Sequence, residues 1–433
     1  MVYVNTQNGR AVTDTETQVP ATVYIDSVLA SYPSLGSQTA PLPATIKGRG
    51  NWTWNGFDKK PYKLKFEVKQ RVLGMPNNRH WCLLAYADDY LGFLKGPAGF
   101  ALSRAVGLRY TPRQVPVELV LNGKYMGLYF LTEHVRIASN RVHIREQVNG
   151  ETHPDSLTGG WLVEIDNYSS ADNIRFDEGN GQHVMVSLHE PDSLSAPQRT
   201  YIVNQLNTLN ETLYANSSAR LQQLFDITEA AKFYLVQEIL EDCESYHGSC
   251  FLYKDRDSLG IADKWKFGPV WDFGNAYDRH QETWIYNNPP FEQYWIGQLA
   301  QWPEFRQTVK EQWYVFYHDH REPVRTEITA FAASIATAAR NDARVWNGSK
   351  GYRDNSDMTA KRDDFFQRFD WRINWLYSQW GEGVRPATYD IDSPSLPDTQ
   401  AAKQLRNGRL YILKDGKVYT ILGTQIGDIC WGL

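Results

Sequence analysis

Apolar and polar positions alternate over "KPYKLKFEV": Tyr62, Leu64 and Phe66 point one way, Lys63 and Lys65 the other. That period of two predicts a half-buried strand. "PVELVLNGKYMGLYFLTEHV" predicts a hairpin, with Asn122-Gly123 turning between two apolar runs. Between these stretches, "GPAGFALSRAVG" has the small and apolar spacing of one short helix, and "GGWLVEID" reads as a further strand. The first part of the chain, about 1–190, is therefore expected to be β-rich.

From about Pro197 the period lengthens to that of helices. In "FDITEAAKFYLVQEILED", Asp226 followed three residues later by Glu229 is a capping-box arrangement, and Phe233, Val236, Gln237 and Leu240 share one face. A loop "CESYHGS", a strand "CFLYK", a turn "DRDSLG", a strand "KWKFGPV" and the string "WDFGNAYD" come next. The stretch from about 290 to 380 is helical and aromatic, and the mainly helical part is expected to run over about 197–385. "PATYDIDSPSLPDTQ" (386–400) is rich in Pro, Ser and Asp, as linkers are. Beyond it, 401–433 carries a second hairpin signal around Asp415-Gly416, too small to be stable alone.

Bulk properties narrow the function classes. A net charge of −5 argues against a general nucleic-acid-binding surface. No apolar run approaches the ~20 residues that cross a membrane, and the first residues lack the basic start and apolar middle of a signal peptide. The chain reads either as cytosolic or as exported with its leader removed. Cys82, Cys243, Cys250 and Cys430 match no zinc spacing, and buried thiols are the expected reading. Abundant Trp and Tyr suit a glycan- or protein-binding surface, or a large mixed core.

Chemistry concentrates at "WDFGNAYD". A lone carboxylate between two aromatics is costly unless a cation balances it. If "CFLYK" and "KWKFGPV" pair antiparallel, the loops flanking them lie at one end. Glu241, Asp242, Glu244, Asp272 and Asp278 then crowd one edge. Such crowding calls for a divalent cation or a proton, and oxygen-only ligands favour Mg²⁺ or Mn²⁺ over zinc. "IKGRGNWTW" and "DKKPYKLKF" supply cations for phosphate in Arg49, Lys59, Lys60, Lys63 and Lys65, and Gly48 and Gly50 open the backbone to an anion. A glycine turn, a strand lysine, an acidic loop after a helix and an Asp-Phe-Gly after a hairpin are the parts of a phosphotransferase.

The strings "IKGRGNWTWNGFDKKPYKLKF", "HWCLLAYADD", "VELVLNGKYMGLYFLTEHVRIASNRVHI", "GGWLVEID" and "GPVWDFGNAYD" together resemble the spore-coat protein H (CotH) kinase family, from the N-terminus to about residue 380. The resemblance implies an α+β, atypical protein-kinase-like fold. It also implies transfer of the ATP γ-phosphate to Ser or Thr of a protein with Mg²⁺ or Mn²⁺. Carried over, Asp272 matches the metal-binding acid. Glu244 falls where the family places a catalytic acid five residues before an asparagine, and Ser249 stands at that asparagine, as a weaker metal ligand. Both depart from the family pattern, and Asp242 is an alternative acid. Arg49 and one of Lys60, Lys63 or Lys65 resemble the nucleotide-phosphate side, with Glu133 as the lysine's ion-pair partner. Lys95-Gly96 stands where many relatives carry Arg-Asn.

The tail "RNGRLYILKDGKVYTILGTQI" resembles the sorting tails of the type IX secretion route, which implies an exported or surface-associated protein. An active kinase is thus weighed against a catalytically impaired, kinase-like surface protein that binds a glycan or protein partner. Metal-dependent hydrolysis ranks last, because it leaves the lysine and glycine elements without a role.

Overall fold

Strand alternation closes the N-terminal part on itself. The computed structural model describes residues 1–27, 31–168, 173–177, 183–191, 193–215, 218–287, 294–387 and 389, and four short strands between 402 and 428. The first strands are β1 (Val2–Thr6), β2 (Val19–Ile25), β3 (Leu42–Gly48), β4 (Tyr62–Gln70), β5 (Asn78–Leu84), β6 (Gln114–Leu121) and β7 (Lys124–Glu133). They form a closed barrel in the order β1-β2-β3-β4-β5-β7-β6. The closing pair, β1 with β6, is parallel, with Val2 opposite Leu119. Every odd-even choice along these strands is settled by the barrel: Leu64, Phe66, Trp81, Leu83, Tyr129 and Leu131 fill its interior. Lys63, Cys82 and Thr132, in cross-strand register, lie on the outer face. The β6–β7 turn is as expected, with Asn122 and Gly123 both at positive φ (50° and 77°), the conformation a tight hairpin needs.

Between the strands lie a single turn, α1 (Trp52–Asn55), and the helix α2 (Lys95–Ala105). A short helix α3 (Pro154–Leu157) precedes a second sheet built from β8 (Trp161–Ile165), β9 (Asn173–Asp177), β10 (His183–Glu190), β11 (Cys250–Lys254) and β12 (Lys266–Phe267). Its order is β12-β11-β8-β10-β9. The expected division into a β-rich and a helical part therefore holds only in part. β11 returns from beyond the first helices of the helical part to pair with β8, and β12 pairs in turn with β11.

The helices are α4 (Ala196–Tyr214), α5 (Ser218–Leu224), α6 (Ile227–Leu240), α7 (Tyr294–Leu299), α8 (Pro303–Val315), α9 (Arg321–Trp346) and α10 (Met358–Trp380). Asp226 caps α6 by accepting from the Glu229 amide at 3.1 Å. Glu229 does not complete the box, because its carboxylate turns to Lys232 and the Arg109 amide. α6 buries the expected face and nearly all the rest, being packed between α2, α8, α10 and β12. Among the described residues, no helix is long and apolar enough to cross a membrane. Cys82, Cys243 and Cys250 are free and buried, as expected for core thiols.

Met1–Val384 and Arg385–Leu433 form two compact units. The second holds β13 (Ala402–Arg406), β14 (Arg409–Lys414), β15 (Lys417–Thr420) and β16 (Gln425–Asp428) as one antiparallel sheet. The predicted hairpin is its middle pair, with Lys414 opposite Lys417. The Asp415-Gly416 turn itself, most of the 386–400 stretch and Cys430 lie outside the described residues.

Candidate active site

α6 ends when Glu241 takes a left-handed conformation (φ 48°), which throws the 241–249 loop to the head of β11. β11 and β12 pair antiparallel with Leu252 opposite Phe267, so the loop after β12 returns to the same end. The two loops are tied together directly, since Asn275 Nδ2 donates to Glu244 Oε2. Asp272 itself sits at φ 58°, a region a residue with a β-carbon enters only when its surroundings hold it there. Phe273 supplies part of that hold by packing edge-on against Phe100 at 5.6 Å. It also lies so close to Gly99 that a Cβ there would meet the ring at 2.2 Å.

The acids do not share one environment. Asp242 is completely buried, and neither of its carboxylate oxygens has a hydrogen-bond partner among the described residues. Burial, then Asp272 and Glu244, push it well above the ordinary carboxylate range. Asp272, in contrast, is exposed to solvent. Burial raises its pKa, against Arg49 and the Gly274 amide. Glu244 is raised by burial, with Tyr168 and Asn275 hydrogen bonds opposing. A cavity of about 320 Å³ opens here, lined by Cys243, Glu244, Asn275, Asp278 and Arg279. Glu241 is spent on structure, accepting from the His280 and Gln281 amides.

One acid escapes notice in the sequence. Asp88, in the "ADD" that follows β5, is lifted to about 6 by burial, then by Asp272 and Asp89. A carboxylate pair directly after a strand was its only signal. Because the folded pKa lies above the ordinary one, ionisation is disfavoured in the fold. Asp88 thus withdraws stability as pH rises from about 4 through 6, on the order of 2 kcal/mol after allowing for its partial exposure. The melting temperature of Asp88→Asn minus that of wild type is expected to grow from its smallest value below about pH 4 to clearly positive at pH 7.5. A difference independent of pH refutes the assignment.

The cations divide as well. Arg49 lies over the Trp271 ring, 5.6 Å from its centroid, and its charge reaches Asp272. Lys63 is directly opposite Lys47 across β3 and β4, an unfavourable like-charge pairing. Among the described residues it has neither an ion-pair nor a hydrogen-bond partner. Burial pushes its ammonium down, the Cys82 thiol opposes, and Lys47, Arg136 and Arg49 add to the fall. The same positive field, after burial, holds the His80 imidazole at about 3. Lys65 shares the outer face, opposite His80. Lys60 turns away, donating to the Trp54 carbonyl and covering the Trp54 ring.

Glu133 does not hold a lysine. It is fully buried, accepts from the Arg113 amide at 2.9 Å and Tyr110 at 3.2 Å, and pairs with the Arg113 guanidinium. The reason is register: Glu133 lies opposite Trp81, which lies opposite Leu64, so all three share one barrel face. Lys63 and Lys65 occupy the other. Ser249 stands at φ 53° just before β11, and its hydroxyl makes no hydrogen bond among the described residues.

Among the described residues, no three His, Cys, Asp or Glu side chains could hold a metal ion together. A Mg²⁺- or Mn²⁺-type cation commonly takes only one or two carboxylates and completes its shell with phosphate and water. The two unpartnered oxygens of Asp242 and the accessible Asp272 fit that requirement; a closed, all-protein cage does not.

Fold and site together define a mixed α/β protein in which two acidic loops meet, with Arg49 acting on Asp272. The CotH kinase protein family matches residues 46–373, and the chain belongs to that family. No curated protein matches the chain.

Proposed function

We propose that this protein is an ATP-dependent protein kinase of the CotH type, with an atypical kinase-like arrangement and a Ser or Thr acceptor. The observation that carries the reading is the Lys63–Lys47–Arg49 cluster, in which Lys63 has no ion-pair partner among the described residues and Arg49 acts on Asp272. Like charges crowded on a half-buried face are costly, and a triphosphate would supply the missing counter-charge. Lys63, with Lys65 beside it, takes the role left open among Lys60, Lys63 and Lys65. Asp272 and Asp242 would hold Mg²⁺ or Mn²⁺, which when bound neutralises the phosphate oxygens. Glu244 accepts the acceptor hydroxyl's proton as the oxygen bonds to the γ-phosphorus and the bond to ADP breaks. Export and surface association belong to the same reading, supported by the Pro/Ser-rich stretch that precedes β13–β16.

Calorimetric titration with ATP, with and without Mn²⁺, tests it on wild type, Asp272→Ala, Lys63→Met and Lys60→Met. Wild type is expected to bind ATP only with metal. Asp272→Ala and Lys63→Met should each weaken binding by about tenfold or more, roughly the loss of one charge-assisted contact. Lys60→Met should stay within about threefold. Absence of metal-dependent ATP binding in wild type sinks the proposal. Binding without phosphate transfer leaves the second reading, a kinase-like binding protein, which the departures at Glu244 and Ser249 favour.

A further inference from the structure

Lys95 is the first residue of α2, and its side chain is only 2% exposed. Both facts run against ordinary preference. A cation at a helix N-terminus meets the positive end of the dipole, and lysine is seldom buried unless paired. Its amide is capped by Asp89 Oδ2 at 3.0 Å, while Asp89 Oδ1 accepts from Leu91 at 2.7 Å. The ammonium then crosses to the loop after β12. It donates to the Gly274 carbonyl and to Asp278 Oδ1, both at 2.7 Å, and lies 4.2 Å from the Tyr90 ring centroid. Gly96 lets the start of α2 pack against Tyr86, since a Cβ there would lie 2.2 Å from the Tyr86 hydroxyl.

Those two bonds fall two and six residues beyond Asp272, within a loop that contains two non-glycine residues at positive φ, Asp272 (58°) and Tyr277 (60°). Such a loop needs an external hold. The charge of Lys95 also acts on Asp88, Asp89 and Asp242, which otherwise crowd one another. We propose that Lys95 is the positioning residue of this site, fixing the 272–278 loop and serving as the permanent counter-charge to the surrounding carboxylates. It touches neither nucleotide nor acceptor in this role. Only the kinetic part of the test rests on the kinase reading.

Hydrogen exchange followed by mass spectrometry on the full chain tests the proposal directly. Peptides covering 271–279 should exchange about tenfold faster in Lys95→Met, with the barrel strands β4 and β7 unchanged. Lys95→Arg should restore most of the protection. In phosphate transfer, Lys95→Met should lower kcat roughly 30-fold or more while KM for ATP moves less than about threefold. Unaltered exchange over 271–279, or wild-type kcat, overturns the proposal. If Lys95→Met does not fold, Asp278→Asn carries the test with a smaller acceleration, about threefold, and unchanged exchange there is equally fatal. Should wild type transfer no phosphate, the functional reading fails and exchange alone decides the role of Lys95.

Discussion

Replacing Asp342 with alanine is expected to cost about 3–5 kcal/mol of folding stability and to lower the melting temperature by roughly 5–10 °C. Asp342 lies on α9 and is completely buried, as is Lys59, whose Nζ approaches Asp342 Oδ1 to 2.8 Å. Its carboxylate also accepts from the Leu128 amide and the Tyr352 hydroxyl, both at 2.8 Å. Lys59 meanwhile donates to the Leu128 carbonyl at 2.7 Å. Three groups, the Lys59 ammonium, the Leu128 amide and the Tyr352 hydroxyl, are thus satisfied by one carboxylate, and its loss strands a buried ammonium and a buried N–H together. Gly127 shows how close the fit is, because a Cβ there would lie 2.1 Å from Asp342 Oδ1. The double replacement Lys59→Met with Asp342→Leu should recover much of the loss, since an apolar pair removes the stranded charge. An Asp342→Ala protein melting within a degree or two of wild type would show that α9 is not clamped to β7 in this way.

That clamp also marks where the sequence stops being legible. Lys59 and Lys60 are adjacent in "DKKP", yet one is locked under α9 and the other lies over Trp54. Nothing local distinguishes them, because the partner of Lys59 lies 283 residues away. Local signals fared well: the period of two in β4, the Asn122-Gly123 turn and the Asp226 cap are decided within a few residues, where propensity and hydrogen bonding act directly. The meeting of Glu244 with the Asp272 loop followed from the antiparallel β11–β12 pair, a geometric consequence of chain order. Glu133 was assigned to a lysine because its barrel face depends on register through β5, and register is a long-range property. The role of Asp88, and that of Lys95 beyond its place at the Arg-Asn position, is illegible for a related reason. Their meaning comes from the Asp272 loop, which tertiary packing brings to α2.

Replacing Glu244 with glutamine is expected to lower kcat by about 10²–10³, the range for loss of a positioned general base, while leaving ATP affinity within about threefold. Asp272→Asn, in contrast, should weaken metal-dependent ATP binding by about tenfold or more and lower turnover with it. The distinction comes from where each group faces. Glu244 lines the open cavity and is oriented by Asn275, so an acceptor hydroxyl can reach it. Asp242 is sealed from solvent with two unpartnered oxygens, which suits a cation's neighbour and leaves no path for an acceptor. Asp272 is exposed to solvent and electrostatically joined to both Asp242 and Arg49. Steady-state kinetics at saturating ATP, paired with calorimetry on the same variants, separate the roles. A Glu244→Gln enzyme with wild-type kcat, beside an Asp242→Asn enzyme that has lost it with ATP binding intact, would transfer the proton-accepting role to Asp242. The 242–244 loop would then have to open during turnover, because no substrate reaches that carboxylate in the present arrangement.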